Sequence, residues 1–274
     1  DNFKNQKNIV TEKSDIFNKK YNPFAEIVYF QNNSKFENTI NDLAKKQKIK
    51  KIIKIGKREA DSYIKNIKYI KSNYEINFKI LHKNLKIIIK RFEEYQITNL
   101  VFLLSFFVVN KIDTNIIINN KSKYVVVEGR GSIHKILING FKVTLIDQSY
   151  NANPETMIQG IKSFSKFKKN DCEKILILGN MNELGLKSID YHLKIIKEIE
   201  KHSFDIIILS GNFLKKALNM FSKLKNKYVY RSNSKSIMRY IKNNVHKNAI
   251  MMAKCSNKTE VNKFVKLIKL DRKG

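Results

Sequence analysis

The chain reads as an α/β protein whose second half is a mostly parallel sheet covered by helices, and three observations carry that reading. After Pro154, strand-like and helix-like stretches alternate, the rhythm of units that build parallel sheets. Residues 175–178 and 206–209 are almost continuously apolar, as strands buried on both faces are. Before Pro154, Asn139-Gly140 stands between two apolar runs, 135–138 and 141–146. A two-residue hairpin turn needs positive φ at both central positions, which Asn and Gly tolerate best.

Taken in order, residues 1–50 read as helical and polar, with an apolar interlude at 25–30 compatible with a strand. Short strands are expected at 50–56 and 77–81, and a helix with an unusually apolar C-terminal half at 92–109. A strand at 124–127 is broken by Glu128-Gly129-Arg130-Gly131, and the hairpin then closes the first half as an antiparallel ribbon. Asn153 caps the next helix, with Pro154 at its first position, and Met157, Ile161 and Phe164 share one helical face. Beyond it, strands are expected at 174–178, 205–210, 227–230 and 249–253, and helices at 188–201, 213–224, 235–244 and 260–270. The domain boundary is placed near Tyr150, giving domains 1–149 and 150–274 with the polar turn as hinge.

The length of 274 residues and 42% hydrophobic content suit one large domain or two ordinary ones. The formal charge is +30, from 54 Lys and Arg against 24 Asp and Glu, which raises a nucleic-acid or anionic-membrane partner. The lysines, however, are interleaved with Ile and Asn through every segment, the pattern of a solvated surface, so no nucleic-acid partner is expected. Two cysteines, Cys172 and Cys255, imply no disulfide framework and suit a cytoplasmic setting. The apolar run 100–109 is about half the ~20 residues that a membrane helix needs, so no span is expected. The chain opens on Asp1 and not Met, which suggests a start inside a longer reading frame. The sequence does not address oligomeric state.

The most informative stretch is 146–157, I-D-Q-S-Y-N-A-N-P-E-T-M, where a strand end, a polar turn and a helix start follow one another. Its S-Y-N-A-N-P core, preceded by Asp, resembles the interdomain signature of the MurF branch of the Mur ligases. The resemblance extends along the chain: N-F-K-N-Q-K-N-I and T-E-K-S-D-I-F near the start, G-R-G at 129–131, G-N-M-N-E-L-G at 179–185 and K-C-S at 254–256. It implies the rear part of a Mur ligase central domain followed by a Rossmann-like C-terminal domain.

The activity implied is ATP-dependent formation of an amide bond between UDP-MurNAc-tripeptide and D-Ala-D-Ala, through an acyl phosphate, with ATP and Mg²⁺ as cofactors. The resemblance assigns Lys13 as a carbamylated lysine that ligands the metal. A carbamate supplies the hard oxygen donor that Mg²⁺ prefers, but forming it requires a shielded, deprotonated amine. Asn99, Arg130, Asp147 and Tyr150 would lie at the nucleotide, and Asp147 and Asn151 at the reaction. Asn151, Asn153, Asn180, Glu183, His192, Lys254 and Ser256 would lie at the substrates. Arg130 stands between glycines that allow close backbone approach and leave its guanidinium able to fork onto phosphate oxygens.

Several positions depart from the pattern. Tyr95 and Gln96 stand where the family has His and Asn, Gln148 replaces the second acid of D-D-S-Y-N-A-N-P, Asn32-Asn33 and Asn180 replace aspartates, and Cys255 replaces a glycine. No G-x-x-x-x-G-K-[ST] occurs, so the phosphate-cradling loop of an ATP site is absent and the chain alone is expected to be inactive. Two other classes remain open: a degenerate, non-catalytic remnant or partner-dependent fragment, and a basic nucleic-acid-binding protein.

Overall fold

The computed structural model describes residues 6–31, 35–56, 58–71, 73–89, 94–120, 127–167, 171–221 and 228–271. The strand expected at 124–127 falls outside these except for Val127, as do Asn32 and Asn33. The chain divides into two compact units, 2–124 and 125–274. The expected boundary at 149/150 falls inside the second unit.

The first unit runs α1 (Gln6–Ser14), a 3-10 turn (Asp15–Phe17), β1 (Ile27–Gln31), α2 (Glu37–Lys46), β2 (Lys51–Gly56), β3 (Ser62–Ile70), β4 (Asn73–Ile80), β5 (Lys83–Ile89), α3 (Glu94–Val109) and α4 (Asn115–Asn119). Its sheet follows chain order, β1 through β5. The first three strands pair in parallel and the last three antiparallel. Ile76, Phe78, Ile80 and Ile87 form a fully buried layer with Ile97, Val101 and Leu104 of α3, each worth about 1.5–3 kcal/mol when removed from water.

The second unit adds β6 (Ser132–Ile138), β7 (Phe141–Gln148), α5 (Pro154–Ser165), β8 (Glu173–Gly179), α6 (Ser188–Ile199), β9 (Ile206–Ser210), α7 (Asn212–Met220), β10 (Val229–Tyr230), α8 (Ser234–Asn244), β11 (Ala249–Lys254) and α9 (Glu260–Leu270). The sheet order is β10-β9-β8-β11-β7-β6, parallel except for the β6–β7 hairpin. Asn139 and Gly140 take φ of 51° and 81°, as the tight turn requires. The hairpin is thus the edge of the second sheet. Its alternate faces feed two cores: Val143, Leu145, Met251 and Phe264 lie on one side, and Ile146, Met157, Leu176 and Met252 on the other. Among the described residues no helix is long and apolar enough to cross a membrane.

Candidate functional site at the carboxyl edge of the second sheet

In an open α/β sheet the carboxyl ends of parallel strands are where loops and helix N-termini converge. Here β7 leads into residues 149–153, β8 into 180–184 and β11 into 255–257, and the pairings Lys254↔Gln148 and Lys254↔Leu178 bring the three exits side by side. Ser132 at the start of antiparallel β6 pairs with Asp147, so the 129–131 turn joins the same edge.

That turn is bound to the elbow by its backbone. Gly131 N–H donates to the Asp147 carbonyl at 2.7 Å, and Tyr150 N–H donates to the Gly129 carbonyl at 3.1 Å. A Cβ on Gly129, where φ is +75°, would lie 2.8 Å from the Cβ of Tyr150. This close approach places Arg130 over the Tyr150 ring, with the guanidinium carbon 4.7 Å from the centroid, in reach of a cation–π interaction. Both side chains are exposed, Tyr150 by 45%, so a charged fork and an aromatic face are presented together.

Asp147 has an internal role. It is 1% exposed. One oxygen accepts from Ser149 N–H at 3.0 Å and Ser149 Oγ at 2.6 Å, and the other from Lys269 Nζ at 3.1 Å. Lys269 also reaches Glu128 at 3.1 Å. Burial works against the Lys269 charge, but these two carboxylates outweigh it and hold its pKa above the ordinary value. The carboxylate therefore fixes the elbow backbone.

Ser256 joins the three loops. Its Oγ donates to the Ala152 carbonyl at 3.4 Å and accepts from Asn182 N–H at 3.0 Å, while its own N–H donates to the Asn180 carbonyl at 3.0 Å. Asn180 and His192 are likewise committed internally. Asn180 Oδ1 accepts from Leu214 N–H at 3.4 Å, capping α7 in a place where a Cβ on Gly211 would collide with the asparagine side chain. Asn supplies that acceptor as well as the aspartate would. His192, fully buried, accepts from Met181 N–H at Nε2, 3.0 Å, and donates from Nδ1 to the Ser188 carbonyl, 2.6 Å. Asn153 is the expected N-cap: its Oδ1 accepts from Thr156 N–H at 2.8 Å, and Thr156 Oγ1 accepts from Asn153 N–H at 3.1 Å.

Open to solvent at this edge are Arg130, Tyr150, Asn151, Asn153, Asn182, Glu183 and Asn257. Glu183 holds φ of +61°, a left-handed conformation that costs a non-glycine residue about 1–3 kcal/mol. Beneath them lies Lys254, 5% exposed. Its pKa is lowered to about 8 by burial, and its Nζ reaches the Asn151 carbonyl at 3.5 Å. Gly160 makes room for this side chain, because a Cβ there would sit 2.9 Å from Lys254 Cδ and 3.1 Å from Gln148 Oε1. Cys255, where glycine was expected from the resemblance, is fully buried with its pKa pushed up to about 12 by burial. It packs where a Cβ on Gly179 would come within 2.6 Å of its own.

Lys13 and Asn99 belong to the first unit. Lys13 lies in the last turn of α1, is exposed, and lines an apolar groove beside β1. The shielding that carbamylation needs is not furnished by the described residues. Asn99 is exposed on α3, and Tyr95 and Gln96 fall in that helix's first turn. Among the described residues no cluster of His, Cys, Asp or Glu could hold a metal ion.

Residues 133–257, which include this edge, match the family described as Mur ligase, glutamate ligase domain. The particular likeness is to MurF. The UDP-N-acetylmuramoyl-tripeptide–D-alanyl-D-alanine ligase of Buchnera aphidicola subsp. Acyrthosiphon pisum (strain APS) is 30% identical over 144 residues, 52% of this chain and 30% of that protein. MurF from Acinetobacter baumannii superposes with a TM-score of 0.75 at 17% identity, over 97% of this chain and 56% of its own. MurF from Thermotoga maritima, solved with ADP, gives 0.72 at 18% identity, over 97% and 58%. The matches thus span 30% of the Buchnera relative and 56% and 58% of the two solved MurF chains.

Proposed function

We propose that the chain is the rear part of the central domain (residues 1–149) and the C-terminal domain (150–274) of an ATP-dependent, amide-bond-forming ligase that adds D-Ala-D-Ala to UDP-MurNAc-tripeptide in cytoplasmic peptidoglycan precursor synthesis. The observation that supports it most is the Arg130–Tyr150 stack, seated on the Y-N-A-N-P elbow by the Gly129–Tyr150 backbone contact. In this reading the exposed guanidinium and ring would hold the nucleotide, the guanidinium at phosphate oxygens. ATP, when bound, supplies phosphoryl activation of the tripeptide carboxylate.

The chain's own part is positioning. Asp147 and Ser256 fix the elbow, while His192 and Asn180 hold the 180–184 loop. Asn151, Glu183 and Lys254 would orient the dipeptide. A lysine of pKa about 8 is mostly protonated at neutral pH and would pair with the dipeptide carboxylate. No step is assigned to Mg²⁺, because Lys13 is unshielded and no acidic cluster stands among the described residues.

The test is titration of the 274-residue chain with D-Ala-D-Ala and with L-Ala-L-Ala, followed by NMR. Binding of the D-isomer alone, weakened by Lys254→Met, is expected; an equal response to both isomers would sink the reading. Tight Mg-ATP binding by the bare chain would overturn its incompleteness. A second reading, a non-catalytic remnant or partner-dependent fragment, is favoured by the internal commitment of Asp147 and Asn180, and it predicts no response to either dipeptide.

A further inference from the structure

The tip of the β6–β7 hairpin is fastened to a helix some hundred positions away in sequence. Asn139 Nδ2 donates to the Lys242 carbonyl at 2.5 Å and to the Val245 carbonyl at 3.3 Å, at the end of α8, where a helix leaves its last carbonyls without intrahelical partners. Asn248 Oδ1 adds a second fastening by accepting from Lys142 N–H at 2.9 Å. Both turn residues are nonetheless exposed, and nothing lies within 4 Å of where a Cβ on Gly140 would be. Asn139-Gly140 is the one Asn-Gly step in the chain, and such a pair carries its own chemistry. With no side chain on the second residue, its backbone nitrogen is an unhindered nucleophile toward the preceding carboxamide.

We propose that Asn139-Gly140 is a self-modifying site, gated by the seating of the hairpin tip on α8. When the tip lifts, the Asn139 side chain rotates freely. The Gly140 nitrogen then gives its proton to solvent and forms a bond to Asn139 Cγ; the Cγ–Nδ2 bond breaks, and ammonia leaves with a proton taken from solvent. Water opens the resulting five-membered imide at either carbonyl, which leaves aspartate or isoaspartate. While the tip is seated, the two bonds from Nδ2 hold the carboxamide on α8 and block the attack.

The change runs one way. A carboxylate only accepts hydrogen bonds, so at position 139 it would face the Lys242 and Val245 carbonyls with no proton to give, at the negative end of α8. Isoaspartate also adds a methylene to the main chain, which breaks the geometry of a two-residue turn. The hairpin whose far end carries the Gly131–Asp147 bond is thereby released from α8. None of this rests on the ligase reading.

The experiment incubates the whole chain at mildly alkaline pH beside a free peptide of residues 135–142, and follows position 139 by mass spectrometry with isoaspartate resolved. Conversion in the chain should be about ten-fold slower than in the peptide, a ratio set by how rarely the tip opens, with isoaspartate formed in both. Asn248→Ala removes the Lys142 anchor and leaves Asn-Gly intact; it should move the chain's rate toward the peptide's while circular dichroism stays unchanged. Asn139→Asp should speed amide exchange at Ile138 and Phe141 by about ten-fold. Equal rates in chain and peptide overturn the gate, as does an Asn248→Ala rate equal to wild type. Aspartate without isoaspartate overturns the imide route, a chain that never converts overturns the site, and wild-type exchange in Asn139→Asp overturns the release.

Discussion

The main-chain amide of Met181 donates to Nε2 of His192 over 3.0 Å, and Nδ1 of the same ring donates to the Ser188 carbonyl. An imidazole that accepts at one nitrogen and donates at the other is neutral. Burial holds its pKa below the ordinary 6.5, opposed by the Ser188 bond. The unfolded chain takes up a proton near that ordinary value, so this contribution to stability is complete above it and is lost as pH falls below it through the folded pKa. Urea unfolding at pH 7.5 and 5.0 should show wild type losing more stability than His192→Gln. Parallel losses would show that the ring is not the sensor.

Gly129 and Gly140 both hold positive φ, but their surroundings differ. A Cβ on Gly129 would meet the Tyr150 backbone and Cβ at 2.8–3.3 Å, whereas on Gly140 nothing lies within 4 Å. Gly140→Ala should cost only the backbone strain, about 1 kcal/mol, while Gly129→Ala adds a collision and should cost about 2–3 kcal/mol. Gly129→Ala should also displace Tyr150 and quench its contact with Arg130. Denaturant midpoints that fall equally for the two variants would refute the close approach.

The second unit was largely legible because its strands and helices carry unbroken periods: the parallel strands, the hairpin turn and the Asn153 cap all stand close to where the pattern puts them. In the first unit β3 and β5 escaped notice, and β4 is longer than the stretch read at 77–81. In β3 a register shift between Ile64 and Asn66 breaks the two-residue period, putting Ile64, Ile67 and Tyr69 on one face where simple alternation would not. β5 ends in three successive isoleucines, which periodicity cannot assign. At the site, the elbow and the G-R-G turn were readable as local motifs. The Asp147–Lys269 and Ser256–Ala152 contacts join residues more than 100 positions apart, and nothing local encodes them. Gly160 was a missed signal: glycine inside a helix costs about 1 kcal/mol and here marks the passage of Lys254.

Lys269 and Asp147 form a pair whose side chains are 17% and 2% exposed. Lys269→Met strands a buried carboxylate that keeps only its Ser149 bonds, and should cost about 2–4 kcal/mol, discounted from a fully buried pair because Lys269 still touches water. Chemical denaturation of Lys269→Met beside Lys263→Met, where the lysine itself is 58% exposed in its pair with half-buried Glu260, checks this. A loss below about 1 kcal/mol, the range of surface pairs, would show that the elbow does not depend on it.

Gly179 and Cys255 should be energetically coupled. A Cβ on Gly179 would fall 2.6 Å from the Cβ of Cys255, and 3.1 Å from Val261 Cγ2. Gly179→Ala alone forces β8 and β11 apart, and Cys255→Gly removes the nearer obstacle but leaves Val261. In a double-mutant cycle the pair should be less destabilised than the sum of the single variants by about 1 kcal/mol or more. Additive losses would mean that the strand exits relax independently.

Gln148 Oε1 and the Lys254 side chain converge over Gly160, so an acid at position 148 would stand beside a buried ammonium. With glutamine there, burial dominates and holds the lysine at about 8. Between that value and its unfolded value near 10.4, the unfolded chain binds more protons, so this group makes stability rise as pH climbs from 8 toward 10. Gln148→Glu keeps the length and adds a charge, which favours the ammonium. The variant should titrate Lys254 well above wild type, as followed by NMR of ¹³C-methylated lysine, and its unfolding free energy should lose the rise between pH 8 and 10. Coincident midpoints in the two proteins would show that position 148 does not tune the lysine.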